Sequence, residues 1–149
     1  MVTSLTKEAL RQQMIDRFWE TIPPMWNQVR NNLRCIATEN FGISVEQFHI
    51  LRHIRKGITS VSELAEVKQI SRPAISQGVD GLVEKGLISR RQEANDRRYV
   101  HLQLTPAGDD LLNQIFQQNR AWMLEMISGL DEGEMEKVIA AFEVLKKTV

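Results

Sequence analysis

The chain has little with which to staple itself. Its single cysteine, Cys35, leaves no disulfide framework within one chain, and a reducing compartment is the natural home for it. The opening MVTSLTKEALRQQM has no apolar h-region, so no signal peptide is expected. No apolar run approaches the roughly 20 residues that span a bilayer. Together these absences predict a cytoplasmic protein with no membrane partner. The sequence also lacks a nucleophile–base pair, a Gly-rich phosphate loop and a paired carboxylate cluster. Neither an enzyme nor a cofactor is therefore expected, and Glu132 and Glu134 are explained by the electrostatics of a helix start. Internal repeats, low-complexity tracts and flexible linkers are missing too.

An excess of charge of one sign is also missing, because 19 basic residues balance 19 acidic ones. The balance conceals a gradient. Residues 68–98 hold seven basic and four acidic groups, residues 104–149 hold four and eight, and the first 67 hold eight and seven. Positive charge thus gathers in the middle of the chain and negative charge in the tail, a distribution that suits a polyanionic partner. With 149 residues, 42% of them hydrophobic, the chain fits one compact domain or two small lobes sharing a core.

Apolar spacings of four (Leu10, Met14, Phe18, Ile22, then Met25, Val29, Leu33) predict helix over the first 38 residues. Pro23-Pro24 is expected to break or kink it. Later helices announce their starts. Ser44-Val45-Glu46-Gln47 and Ser60-Val61-Ser62-Glu63 are capping boxes. Ser71 caps a helix bearing Ile75, Val79 and Leu82, and Gly86 suits its C′ position. Thr105-Pro106 pairs an N-cap with proline at the first helical position, and Asp131 to Glu134 opens the last helix. Residues 87–104 depart from this pattern. Val100, Leu102 and Leu104 alternate with Tyr99, His101 and Gln103 as in a half-buried strand. Leu87 to Arg91 is its expected partner, and Gln92 to Arg98 connects the two. The fold class predicted is mostly α with a small β-hairpin wing: a winged helix-turn-helix flanked by N- and C-terminal dimerisation helices. Segments 1–40, 41–104 and 105–149 are, in order, dimerisation helices, DNA-binding module and dimerisation helices.

On a helical wheel centred on Ile75, Val79 and Leu82 fall within about 40° and form the buried stripe. The exposed leading face is Pro73, Ala74, Ser76 and Gln77. Gln77 can bond adenine in a bidentate manner, and Ala74 or Pro73 can meet a thymine methyl. Ser71 and Arg72 sit where free amides favour phosphate. Gln77 and Ala74 are the expected base readers, with Arg72 and Ser76 shared between base and phosphate. Arg90 and Arg91, on the first strand, are expected at phosphates, with Asn95 and Arg97 as further backbone contacts. Gly78 and Gly81 each weaken a helix by about 1 kcal/mol relative to alanine. They mark either the close approach of a neighbour or weak packing.

Large apolar residues crowd the chain ends. Phe18, Trp19, Trp122, Met126, Val138, Ile139, Phe142 and Leu145 belong either to an intrachain core or, the reading favoured, to a homodimer interface. His49 and His53, with Glu46, could share one helical face, but nothing completes a metal site, so no metal is expected. Trp26, Arg30, Ile50, His53 and Trp122 could line a cleft suited to a small aromatic carboxylate effector. Cys35 is expected to be inert.

Asp96-Arg97-Arg98, followed by Leu104-Thr105-Pro106-Ala107-Gly108, resembles the D-x-R wing and L-T-x-x-G junction of the MarR family of transcriptional regulators. Ser71 to Lys85, leading into Gly86-Leu87-Ile88, resembles that family's recognition helix and its exit. Nearly the whole chain is covered. The resemblance implies a homodimer on a palindromic double-stranded DNA operator, usually a repressor and often ligand-responsive. It also implies that Asp96 braces Arg98 toward the minor groove. The alternative is a winged-helix protein-interaction module. Operator sequence, regulated genes and the effector are not written in the chain.

Overall fold

Side-chain oxygens set where the helices begin. The computed structural model describes residues 6–92 and 100–148. Helix α1 (Lys7–Cys35) starts at Thr6, whose hydroxyl accepts the Ala9 amide at 3.3 Å. It then continues unbroken through Pro23 and Pro24, so of the expected break or kink the break does not occur. The carbonyls that lose an amide donor there belong to Trp19 and Glu20, both exposed, so water can satisfy them. A π-helical turn, Ile36–Asn40, follows directly and carries Ile36 and Ala37 into the core.

Helix α2 (Val45–Arg55) opens on a complete capping box. The Ser44 hydroxyl accepts the Gln47 amide (3.1 Å), and the Gln47 side-chain oxygen accepts the Ser44 amide (3.0 Å). Ser60 and Glu63 do the same for α3 (Val61–Lys68), which ends on Gln69 in the left-handed region at φ 54. Helix α4 (Arg72–Glu84) is capped by Ser71, whose hydroxyl accepts the Ala74 amide at 3.4 Å. It is left through Gly86 at φ +70, a value that favours glycine.

Strands β1 (Ile88–Gln92) and β2 (Val100–Leu104) pair antiparallel, with Ile88 opposite Leu104 and Gln92 opposite Val100. The Leu102 amide donates to the Thr59 carbonyl at 2.7 Å, which ties the hairpin to the loop between α2 and α3. Helix α5 (Pro106–Met126) is capped by Thr105, whose hydroxyl accepts the Gly108 amide at 3.1 Å and donates to the Gly86 carbonyl at 2.6 Å. Helix α6 (Glu132–Leu145) begins with the Asp131–Glu134 box.

The chain divides into two compact units, Met1–Asn119 and Arg120–Val149. In the first, α2, α3, α4, the hairpin and the start of α5 enclose one core. Ile50, Leu51, Leu64, Ile75, Val79, Leu82, Leu112 and Ile115 are sealed within it. Gly78 owes its place to this packing. A Cβ on Gly78 would stand 2.8 Å from Ile50 Cδ1, and one on Gly81 would stand 2.7 Å from Gln47 Nε2. Real Cβ atoms essentially never come within 3.0 Å of a neighbour; at Gly78 that neighbour is the fully buried Ile50, so the missing side chain lets α4 pass close to α2, whereas at Gly81 the end of the Gln47 side chain, which lines an open groove, can swing aside.

Burial within one chain does not account for the apolar residues of α1 and α6. Neither helix contains a buried residue. Phe18, Trp19, Val138, Ile139, Phe142 and Leu145 are all exposed, while Trp122 and Met126 are half-buried. Among the described residues, no helix is long and apolar enough to cross a membrane.

Candidate nucleic-acid interface

Helix α4 is divided lengthwise. Ile75, Val79 and Leu82 point into the core with no exposed surface. Ser71, Arg72, Pro73, Ala74 and Gln77 are exposed and Ser76 is half-buried. The outward face borders an open groove whose other wall is the start of α2. Ser44 and Gln47 line it from α2, and Ala74, Gln77, Gly78, Asp80, Gly81 and Glu84 line it from α4. Amide and hydroxyl groups suited to base edges therefore sit at the leading end, and two carboxylates follow one and two turns later.

The basic residues around this face have different surroundings. Arg72 is exposed at the first position of α4. Lys85 donates to the Gly42 carbonyl at 2.6 Å, which fastens the end of α4 to the loop before α2. Arg90 shares the hairpin face of its partner Leu102 and forms an ion pair with Asp80 of α4. The sequence alone suggests Arg90 as a phosphate ligand, whereas in this structure a carboxylate already holds its guanidinium. Arg91 lies on the opposite face, across from His101, and is exposed. Asn95, Asp96, Arg97 and Arg98 lie outside the described residues.

Of the residues expected at an effector cleft, four belong to the first unit and one to the second. Trp26 and Arg30 are exposed on α1. Ile50 is fully buried against Gly78 and presents no open surface, and Trp122 belongs to the second unit. His53 is half-buried on α2 near His49. Partial burial holds both histidines below the usual imidazole range, and the Lys68 ammonium adds to the effect. Glu46, which the spacing offered to a metal, instead faces Lys68 at 3.3 Å. Among the described residues no group of three or more His, Cys, Asp or Glu could hold a metal ion. Cys35 is exposed at the last position of α1.

Two helices meeting at a short turn, the second capped and polar at its leading end, stand beside an antiparallel hairpin. This is a winged helix-turn-helix. The model of the MarR family matches residues 41–98. The chain is also 32% identical over 107 residues to the uncharacterized HTH-type transcriptional regulator YdgG of Bacillus subtilis (strain 168), covering 70% of each protein. It therefore belongs to the MarR family of transcriptional regulators, and is not an enzyme. Among solved structures it resembles the transcriptional regulator Tm0710 from Thermotoga maritima. There the TM-score is 0.80 at 21% identity, covering 89% of this chain and 94% of that one. It also resembles a mutant of MepR from S. aureus bound to an oligodeoxyribonucleotide. In that case the TM-score is 0.71 at 21% identity, covering 88% and 96% of the two chains.

Proposed function

We propose that this chain is a cytoplasmic, sequence-specific repressor that binds a palindromic double-stranded operator as a homodimer. Residues 41–104 form the reading module, and helices from 1–40 and 105–149 join the protomers. The observation that carries the reading is the outward face of α4. Pro73, Ala74 and Gln77 are exposed at its capped end while the opposite stripe is sealed. Such a helix end fits the major groove. There Gln77 can span an adenine edge and Ala74 can meet a thymine methyl, while Ser71, Ser76 and Arg72 serve the adjoining backbone and Arg91 reaches a further phosphate from β1. Asp96 and Arg98, between the strands, supply the minor-groove contact, with Asn95 and Arg97 on the phosphates beside it. A structural relative captured on an oligodeoxyribonucleotide is in keeping with this. The exposed apolar faces of α1 and α6 support self-association.

Selection of bound fragments from random duplexes tests the proposal. The expected product is an inverted repeat with half-sites about one helical turn apart, roughly 10 bp centre to centre. On that operator, Gln77→Ala should weaken binding by about 1–3 kcal/mol, roughly 5- to 150-fold, and relax the preference at one position per half-site. Arg98→Ala should weaken it without changing the oligomeric state. Unaltered affinity for both variants, or recovery of single asymmetric half-sites, refutes the reading.

A further inference from the structure

One ion pair in the reading surface has no explanation in folding. Asp80 and Arg90 join α4 to β1, yet their side chains remain 53% and 40% exposed, and pairs this accessible stabilise a fold very little. Their location suggests another role. Asp80 lies one turn beyond Gln77 on the groove-lining side of α4, and Glu84 lies one turn further. A carboxylate there faces a polyanion and lowers affinity for any duplex, whatever its sequence. Arg90, midway along β1, keeps part of its side chain in solvent, but its guanidinium is spent on Asp80.

Binding to non-operator DNA is almost wholly a count of cations on phosphates, whereas operator binding also draws on base contacts. Removing one phosphate ligand therefore subtracts proportionately more from non-operator binding. The competition that matters in a cell is against a great excess of non-operator sites.

We infer that Asp80 is a specificity-determining residue that holds Arg90 off the phosphates and so sets the ratio of operator to non-operator binding. This rests on the DNA-binding reading above. Gln77 and Ala74 choose the sequence, and Asp80 limits how much the protein gains from any other.

The test is a set of anisotropy titrations over a salt series. The duplexes are the operator recovered by selection and a scrambled duplex of equal length. The proteins are the full-length parent, Asp80→Asn, Arg90→Gln and the double variant. Asp80→Asn should bind the scrambled duplex several-fold more tightly near 0.1 M salt. Its plot of log affinity against log salt should steepen by about 0.9, one additional phosphate. The ratio of operator to scrambled affinity should fall. Arg90→Gln alone should leave the parent's slope unchanged, and the double variant should return to it. An unchanged slope in Asp80→Asn overturns the inference. So does a flattened slope in Arg90→Gln, which would mean that Arg90 already reaches a phosphate. Persistence of the gain in the double variant assigns it to charge removal alone and overturns the release of Arg90. Failure of the parent to bind any duplex is a separate result and overturns the DNA-binding reading itself.

Discussion

Replacing Gly108 by alanine would put a methyl group where Leu87 keeps its carbonyl. A Cβ built at this position overlaps the Leu87 oxygen, stands 3.1 Å from the Leu87 carbonyl carbon and 3.4 Å from Leu104 Cδ2. The neighbour is backbone, so no rotamer change relieves the contact. That oxygen also accepts the Thr105 amide at 3.1 Å, and Thr105 in turn caps α5. Forcing extra volume into a packed site costs about 1–3 kcal/mol. Losing the Thr105 bond adds about 1 kcal/mol, and the better helix propensity of alanine returns at most about 1 kcal/mol. The expected net destabilisation is about 2 kcal/mol, the middle of those ranges. With a urea m-value of about 1–3 kcal/mol/M, the midpoint should fall by roughly 1 M at fixed protomer concentration. Gly133→Ala is the matched control. Its Cβ would meet only Asp131 Oδ1 at 3.4 Å, an ordinary contact, so this variant should be as stable as the parent or slightly more so. If Gly108→Ala unfolds at the parent's urea concentration, the close junction between the hairpin and α5 is not what requires glycine there.

Two further outcomes follow from the same structure. His49 and His53 have imidazoles held below their usual 6.5 by burial and by Lys68, so the unfolded chain takes up protons that the folded chain resists. Their contribution to stability is complete above about pH 6.5 and declines as pH falls through the interval down to the folded values. Urea unfolding between pH 7.5 and 5 should show this decline, and His49→Gln with His53→Gln should flatten it; an identical decline in that variant refutes the assignment. At the chain ends, Phe142 is 50% exposed in a lone protomer. Burying a phenylalanine contributes about 1.5–3 kcal/mol and a two-fold interface counts it twice. Because half of the side chain is already covered, about half of this gain remains, so Phe142→Asp should weaken self-association by at least about tenfold, read by sedimentation, and an unshifted dimer would exclude α6 from the interface.

Much of the fold was legible because local chemistry announced it. Ser44 with Gln47, Ser60 with Glu63 and Asp131 with Glu134 close the boxes their spacing predicts, and the alternation about Leu102 is a strand paired in register. Features that depend on distant partners were not. Phe48, Leu51 and Ile54 mark one stripe of α2, and nothing local marks Ile50. It is buried because α4 arrives on a second side of α2, admitted by Gly78. Pro23 and Pro24 read as an interruption, since their effect depends on whether the orphaned carbonyls can reach solvent. The π-helical turn at Ile36–Asn40 has no composition of its own. In the reading surface, spacing identified the outward face of α4, but not that Asp80 engages Arg90, because the two are brought together only by the turn at Gly86.

The bare apolar sides of α1 and α6 also bear on inheritance. If those sides are covered only by a second protomer, intact and defective subunits produced in one cell will mix, and most assemblies will carry at least one faulty half. A copy altered at Gln77 but normal in α6 should then poison its healthy siblings, whereas a copy altered at Phe142 should be silently recessive.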